Sequence, residues 1–406
     1  MKTHYRIVGP HRHSAIKPCH WMEQRLLTGR DNRNCYKGYF GIQSHRCLQN
    51  TPSLPFCNQS CVFCWRDIEQ GTLGSEFLAT PDDPADLVGE MIRHQQNLLD
   101  HHLTLEKQLT NFEVCNAVAD CMRDRQARTI AQISEKTQSS IRQATKAVKL
   151  LKNTRVLKAT KDLKHLTLHR VATEMLENGA EMREILETLV TTEQEIKRAH
   201  AEARVPGHAA ISLGGEPIFY PHISEFVAEF RQRNMTTFIV TNGTRPDILQ
   251  NLDSLPTQLY ISLPAPSQED YVKICRPVRA DQWDSIMATL DLLQSLSCRT
   301  CVRLTVLKGL NMDDADRYAE LIARANPDFV DVKSFTPEAS AGRIGNRLQT
   351  GENVMSFVPT FGEMKVFAQQ LSDAGSFPIL EKVMRSRDIL LGCNWPEGKS
   401  LLIQAP

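Results

Sequence analysis

The chain of 406 residues contains no apolar run approaching the ~18 residues that a bilayer-spanning helix needs, which removes helical membrane proteins from consideration. Its opening, Met-Lys-Thr-His-Tyr-Arg, lacks the apolar stretch of a secretory signal, so a cytoplasmic location without a membrane partner is the expectation. Acidic residues are scarce in two stretches. Up to Arg66 only Glu23 and Asp31 oppose ten lysines and arginines, and from Arg142 to Arg170 Asp162 alone opposes nine. The net charge of the whole chain is only +1, so any polyanion would meet a local excess and not a global one. Each basic run fits either a phosphate-contacting surface or an ordinary solvated face.

Cysteine is abundant by contrast. Twelve cysteines in a chain expected to stay in the cytosol argue against disulfides and for metal ligation or plain packing. Six of them fall between residues 19 and 64, a crowding that packing alone does not explain. Cys57, Cys61 and Cys64 form a C-x3-C-x2-C loop, whose three thiolates can hold three corners of a 4Fe-4S cube and leave the fourth iron open to a small molecule. Cys19, Cys35 and Cys47 lie just upstream. Cys115, Cys121, Cys275 and Cys393 read as small buried hydrophobes. Cys298 and Cys301 have C-x2-C spacing but no nearby partners.

With 41% hydrophobic and 23% charged residues the composition is that of a globular protein, long enough for one barrel-sized domain with an insertion. Leu87, Met91, Gln95, Leu98 and Leu99 repeat at helical spacing, predicting a helix from Pro84 to about Leu109. From Asn111 to about Arg170 the pattern is helix, helix (127–136), a Thr-Gln-Ser-Ser cap, a basic third helix (140–153) and two short strands (155–160, 164–169), the order of a winged helix-turn-helix. One long helix is expected over 171–203. Strands then alternate with helices: 208–213, helix 223–233, 236–241, 258–263, helix 281–296, 299–307, helix 312–325 and 329–335. With the cysteine loop following a first strand, this makes about six βα units and an α/β fold, a partial TIM-like (βα)6 barrel around a parallel sheet. The expected division is an N-terminal extension (1–50), the first part of the barrel (51–110), an inserted winged-helix-like module (111–175), and the remaining barrel with a C-terminal segment (176–406).

Active sites of parallel barrels gather at the C-terminal strand ends. Gly214-Gly215-Glu216-Pro217 follows one strand there, with glycines that let backbone approach a ligand and a glutamate able to accept from an amine. Thr241-Asn242-Gly243-Thr244 follows the next, a polar turn able to reach carboxylate and ribose groups. Taken singly, each is an ordinary βα turn. Ser262 and the segment Thr305 to Asn311 end two further strands.

The cysteine loop, with Phe63 between its last two cysteines, resembles the signature of radical S-adenosylmethionine (SAM) enzymes, and Gly214 to Pro217 resembles their segment for the SAM methionine amine. The match narrows over Cys61-Val-Phe-Cys-Trp-Arg66, Ile211 to Pro217 with Tyr220-Pro221, Thr236 to Thr244, and Val302 to Met312. These strings are similar to the tRNA 4-demethylwyosine synthases, and outside the insertion the similarity covers most of the chain. That resemblance implies a 4Fe-4S cluster on Cys57, Cys61 and Cys64, SAM contacts from Gly214, Gly215, Glu216, Thr241, Asn242 and Ser262, and a second 4Fe-4S cluster on Cys19, Cys35 and Cys47. It gives Lys37 the role of a Schiff-base lysine for pyruvate, against the alternative of a surface phosphate contact. The implied substrates are pyruvate and tRNA(Phe) carrying 1-methylguanosine, with an external electron donor of flavodoxin or ferredoxin type. The implied reaction starts with a 5'-deoxyadenosyl radical that takes hydrogen from the guanine N-methyl group. The carbon radical adds to pyruvate, whose C1 is lost, and the third ring closes.

The chain departs from the family pattern in places. No flavodoxin-like domain is evident, as in the free-standing archaeal type; the family tends to have Ser where Gly214 stands; Glu381 to Gly392 match only loosely; and the winged-helix-like insertion is not part of the usual pattern and suits RNA or a protein equally. Two alternatives stay open: another radical SAM enzyme with a different substrate, and a non-enzymatic zinc-binding RNA module using the six cysteines with His11, His13, His20 or His45.

Overall fold

The computed structural model describes residues 5–28, 35–68, 74–159, 165–279 and 281–403. The chain forms two compact units, one from Met1–Cys19, Arg33–His94 and Pro206–Pro406, the other from His20–Asn32 and Gln95–Val205.

The first unit is built on one ten-stranded sheet. Its strands are β1 (Arg6–Val8), β2 (Ser14–Ile16), β3 (Cys47–Thr51), β4 (His208–Ile211), β5 (Thr236–Thr241), β6 (Gln258–Ser262), β7 (Arg299–Val306), β8 (Phe329–Ser334), β9 (Ile379–Val383) and β10 (Asp388–Gly392). The order is β1-β2-β3-β4-β5-β6-β7-β8-β10-β9, and β3 to β8 are all parallel neighbours. These six strands are the expected βα core. The end strands β1 and β9 do not pair, so the sheet stays open and the barrel is partial. Antiparallel strands flank it on both sides, β1 and β2 before β3 and the β9–β10 hairpin after β8.

Period-two alternation divides each central strand between two cores. Ile211, Ile239, Leu259, Ile261, Val302, Leu304, Val330 and Val332 pack with the helices in the main core. On the opposite face Phe238, Tyr260, Cys301, Phe329 and Leu390 meet Tyr39, Phe40 and Ile42 from the N-terminal segment. That inner face is also charged. Arg303 on β7 bonds Asp331 on β8 at 2.7–2.9 Å, and Lys333 bonds Asp388 at 2.9 Å. The Tyr36 ring lies 4.2 Å from the Arg303 guanidinium and 5.5 Å from Lys333 Nζ.

The second unit holds helices Leu105–Asp120, Ile130–Lys136 and Ile141–Asn153, with Leu157–Ala159 paired antiparallel to Leu166–Leu168, which is the winged-helix order. Residues 160–164, part of the two expected strands, lie outside the described residues. Val118, Ile133, Val148, Leu151 and Leu166 form its core. The expected module of 111–175 lies inside this unit, which extends further in both directions.

Two helix expectations are corrected. The stretch 171–203 is not one helix but three, Arg170–Glu177, Met182–Leu189 and Glu193–Ala203. Gly179, at φ +89°, ends the first, and capping boxes at Glu181–Glu184 and Thr192–Glu195 start the others. The helix expected over 84–109 stops at His101, because the Thr104 hydroxyl accepts from Lys107 N and opens a new helix.

Candidate active site

The loop after β3 carries Cys57, Cys61 and Cys64, all free thiols. It is stitched to the two loops that follow β4 and β5. The Thr51 hydroxyl donates to Gly214 O at 2.7 Å, the Ser53 hydroxyl donates to Glu216 O at 2.5 Å, and Glu216 N–H donates to Phe56 O at 2.7 Å. Such close approach requires glycine. Gly215 has φ +69°, and a Cβ there would stand 1.9 Å from Ser53 O. Further along, Asn242 Nδ2 donates to Asn58 Oδ1 and Asn58 Nδ2 to the Thr244 hydroxyl, each at 2.8 Å, while Asn242 Nδ2 lies 4.0 Å from Cys57 Sγ.

Glu216 is 2% exposed, and its carboxylate serves the scaffold. Oε2 accepts from Asn242 N at 2.8 Å and Oε1 from Ile218 N at 3.4 Å. Burial pushes its pKa up to about 7 against the pull of the hydrogen bonds from Thr241, Asn242 and Ile218. Ser262 stands half-buried at the C-terminal end of β6, opposite Arg303. Asn311 ties its own loop, its Nδ2 donating to Pro264 O and Thr305 O.

Three residues around the cysteine loop were given no role by the sequence. Arg347, 6% exposed, donates to Val62 O, Cys64 O and Arg66 O at 2.8–3.2 Å, clamping the loop through its carbonyls. The Arg66 guanidinium lies beside the thiols of Cys57, Cys64 and Cys61. Cys275, read from sequence as a plain buried hydrophobe, is a neighbour of the Cys61 thiol, whose pKa it and burial push well above the ordinary range. Cys61 Sγ also contacts Gln59 Oε1 at 3.3 Å.

The second group forms around Lys37, which is 4% exposed on the inner face of the sheet. Its Nζ stands 3.8 Å from Cys47 Sγ and 5.1 and 5.3 Å from the rings of Phe238 and Tyr36. Burial lowers the pKa of the amine, but Cys47, Tyr36, Cys35 and Cys19 together raise it above the ordinary lysine range. Burial raises Cys47 as well and pushes Cys35 up to about 11. Neighbouring His208 is held neutral, its pKa lowered to about 3 by burial and then by Lys37, Arg46 and His45.

Among the described residues no three His, Cys, Asp or Glu side chains converge as ligands of a single ion. Donor chemistry still fits an iron-sulfur group at the 57–64 loop. Three reduced thiols share it, and burial pushes Cys57 up to about 12, which disfavours a bare thiolate and favours one neutralised by metal. His13, a candidate in the zinc alternative, instead bonds Pro52 O at 2.6 Å and lies 3.1 Å from Asp82. No described helix is long and apolar enough to cross a membrane.

An open parallel sheet with a cysteine loop stitched to glycine-rich and polar loops at its C-terminal edge defines a radical SAM protein, and the Radical SAM superfamily profile matches residues 178–322. The S-adenosyl-L-methionine-dependent tRNA 4-demethylwyosine synthase of Pyrococcus horikoshii is 34% identical over 374 residues, covering 91% of this chain and 80% of that protein. The chain therefore belongs to the tRNA 4-demethylwyosine synthase family. The synthase TYW1 of Homo sapiens is 29% identical over 92% of this chain and 37% of its own length. Among solved structures, TYW1 with a lysine-pyruvate adduct aligns at TM-score 0.61 and 24% identity, over 96% of this chain and 92% of that one. Archaeal TYW1 aligns at TM-score 0.57 and 23% identity, over 97% and 93%.

Proposed function

We propose that this chain is a radical SAM enzyme that condenses pyruvate with 1-methylguanosine in tRNA(Phe) to form 4-demethylwyosine. The observation that carries the reading is the placement of Lys37 on the inner face of the sheet, its Nζ 5.1 Å from Phe238 of β5, the strand whose end supplies Asn242 to the cysteine loop. The name of the 34%-identical Pyrococcus relative and the lysine-pyruvate adduct of the TYW1 structure both support it.

Cys57, Cys61 and Cys64 would hold the SAM-cleaving cluster, which when bound supplies the electron that releases the 5'-deoxyadenosyl radical. Gly214 and Gly215 open backbone to SAM, Glu216 fixes their loop against Asn242, and Thr241, Asn242 and Ser262 line the same strand ends. Cys19, Cys35 and Cys47 would hold a second cluster. Burial on the inner face favours the neutral amine that a Schiff base with pyruvate requires, while the neighbouring thiol and phenol groups oppose it. A flavodoxin- or ferredoxin-type donor and the cytoplasm complete the reading.

The test is to incubate the reduced, reconstituted protein with SAM, pyruvate and tRNA(Phe) bearing 1-methylguanosine, then weigh the nucleosides. The tricyclic base is expected. SAM cleavage with that nucleoside unchanged in mass would reject the substrate and leave the radical chemistry standing.

A further inference from the structure

We propose that the helix Ile141–Asn153 of the second unit is a docking face for the phosphate backbone of the tRNA substrate, a reading that rests on the function proposed above.

The helix contains no acidic residue, and Arg142, Lys146, Lys149 and Lys152 are all exposed on it. Its other side packs Ala144, Ala147, Val148, Leu150 and Leu151 into the core of the unit, so the cations are fixed outward by the apolar face and not by chance. At 1.5 Å per residue they form a row about 15 Å long. Among the described residues none of the four makes an ion pair, whereas other arginines of this unit do. Arg123 pairs with Glu181, Arg125 with Glu177, and Arg183 with Glu113, Glu187 and Glu193. After burial of its stem, Lys107 on the neighbouring helix weakens the hold of Lys146 on its proton most, Cys115 and Glu23 oppose it, and Arg142 adds a smaller push in the same direction as Lys107.

Topology points to the same partner. This is the third helix of a winged-helix arrangement, the position that faces nucleic acid in such folds. Ile141, 62% exposed, stands beside the cations at the start of the helix, where an apolar side chain can press against a sugar or base. The narrow major groove of A-form RNA does not admit a helix, so the contact is with phosphates along the groove edge and is independent of sequence.

The experiment measures binding of the full-length protein to tRNA(Phe) carrying 1-methylguanosine, as a function of salt. The compared variant joins Arg142→Gln, Lys146→Gln, Lys149→Gln and Lys152→Gln. Each neutralised phosphate contributes about 0.7 to 0.9 to the slope of log affinity against log salt, so the variant should lose about 3 from that slope and bind about tenfold or more weakly near physiological salt. SAM cleavage without tRNA should be unchanged, and saturating tRNA should restore turnover, so the defect lies in KM and not kcat. A pair, Lys149→Ala with Lys152→Ala, keeps helix propensity should the fourfold variant fold poorly, and should lose about 1.5 from the slope. Equal affinity and slope in folded variant and wild type would overturn the docking face while tRNA binding itself stands. A variant that binds tRNA normally but is no longer reduced by an acidic flavodoxin would assign the face to the electron donor and overturn it too. Failure of the wild type to bind the tRNA would instead strike the functional reading.

Discussion

At the scale of single residues, side chains that hold the cysteine loop matter as much as the cysteines. Arg347→Ala removes three hydrogen bonds from a charged donor and leaves three carbonyls to find other partners. A loss of about 3 kcal/mol is expected by chemical denaturation, together with reduced iron per chain after reconstitution. Normal iron content would show that the loop holds its shape without this clamp. Gly215→Ala is expected to be worse. It combines a left-handed backbone with a Cβ placed 1.9 Å from Ser53 O, so either β3 or the glycine loop must shift, and SAM binding should fail even where a melting transition survives. Lys37→Ala separates two roles: SAM cleavage without substrate should persist while the tricyclic nucleoside disappears. Equal loss of both would remove its carbonyl role. The cysteine loop and the glycine turn stood out by residue type and spacing, whereas Lys37 was singled out only through the family resemblance. Arg347 was not singled out. It acts through backbone carbonyls 281 to 285 residues away in sequence, and no local pattern encodes that.

At the scale of elements, strands β4 to β8 were readable because each is a short, mostly apolar run closed by a turn, and amphipathic helices follow β4 and β7. Strands β1 and β2 were not, since three residues each give no periodicity, and the β9–β10 hairpin lies beyond the last βα repeat. The helices of 170–203 were merged in the reading because apolar spacing continues across Gly179 and Val190, while the breaks come from caps. Adjacent strands β7 and β8 carry the Arg303–Asp331 pair, both members buried. Arg303→Met should cost about 3 to 5 kcal/mol because it strands a carboxylate in the interior, and adding Asp331→Leu should recover most of that. A double variant no more stable than the single would mean that the pair supports more than itself, with Tyr36 stacked on the guanidinium as the next group to examine.

At the scale of the whole molecule, the sheet unit combines apolar packing with carboxylates that prefer to be neutral, and this sets how its stability follows pH. Burial raises the pKa of Glu216 to about 7 from an ordinary 4.5. It also raises Asp388, against the opposing pull of Lys333. In both cases the folded state binds protons that the unfolded chain has already released. The stability contributed by these two carboxyls therefore falls as pH rises from about 4.5 toward 7, the reverse of a salt-bridged carboxylate, while buried His208, its pKa lowered to about 3, works in the opposite direction below about 6.5. Each group contributes a slope of about 1.4 kcal/mol per pH unit while it is protonated only in the folded state. Denaturation of the cluster-free protein at pH 5.5 and pH 7.5, compared between wild type and Glu216→Gln, isolates the carboxyl from the opposing histidines. Glu216→Gln keeps an acceptor at the site and cannot ionise, so stability at pH 5.5 minus stability at pH 7.5 should be about 2 kcal/mol smaller in the variant than in the wild type. An unchanged difference in that variant would mean that Glu216 is already ionised at neutral pH, held by the amides of Asn242 and Ile218 more firmly than burial opposes.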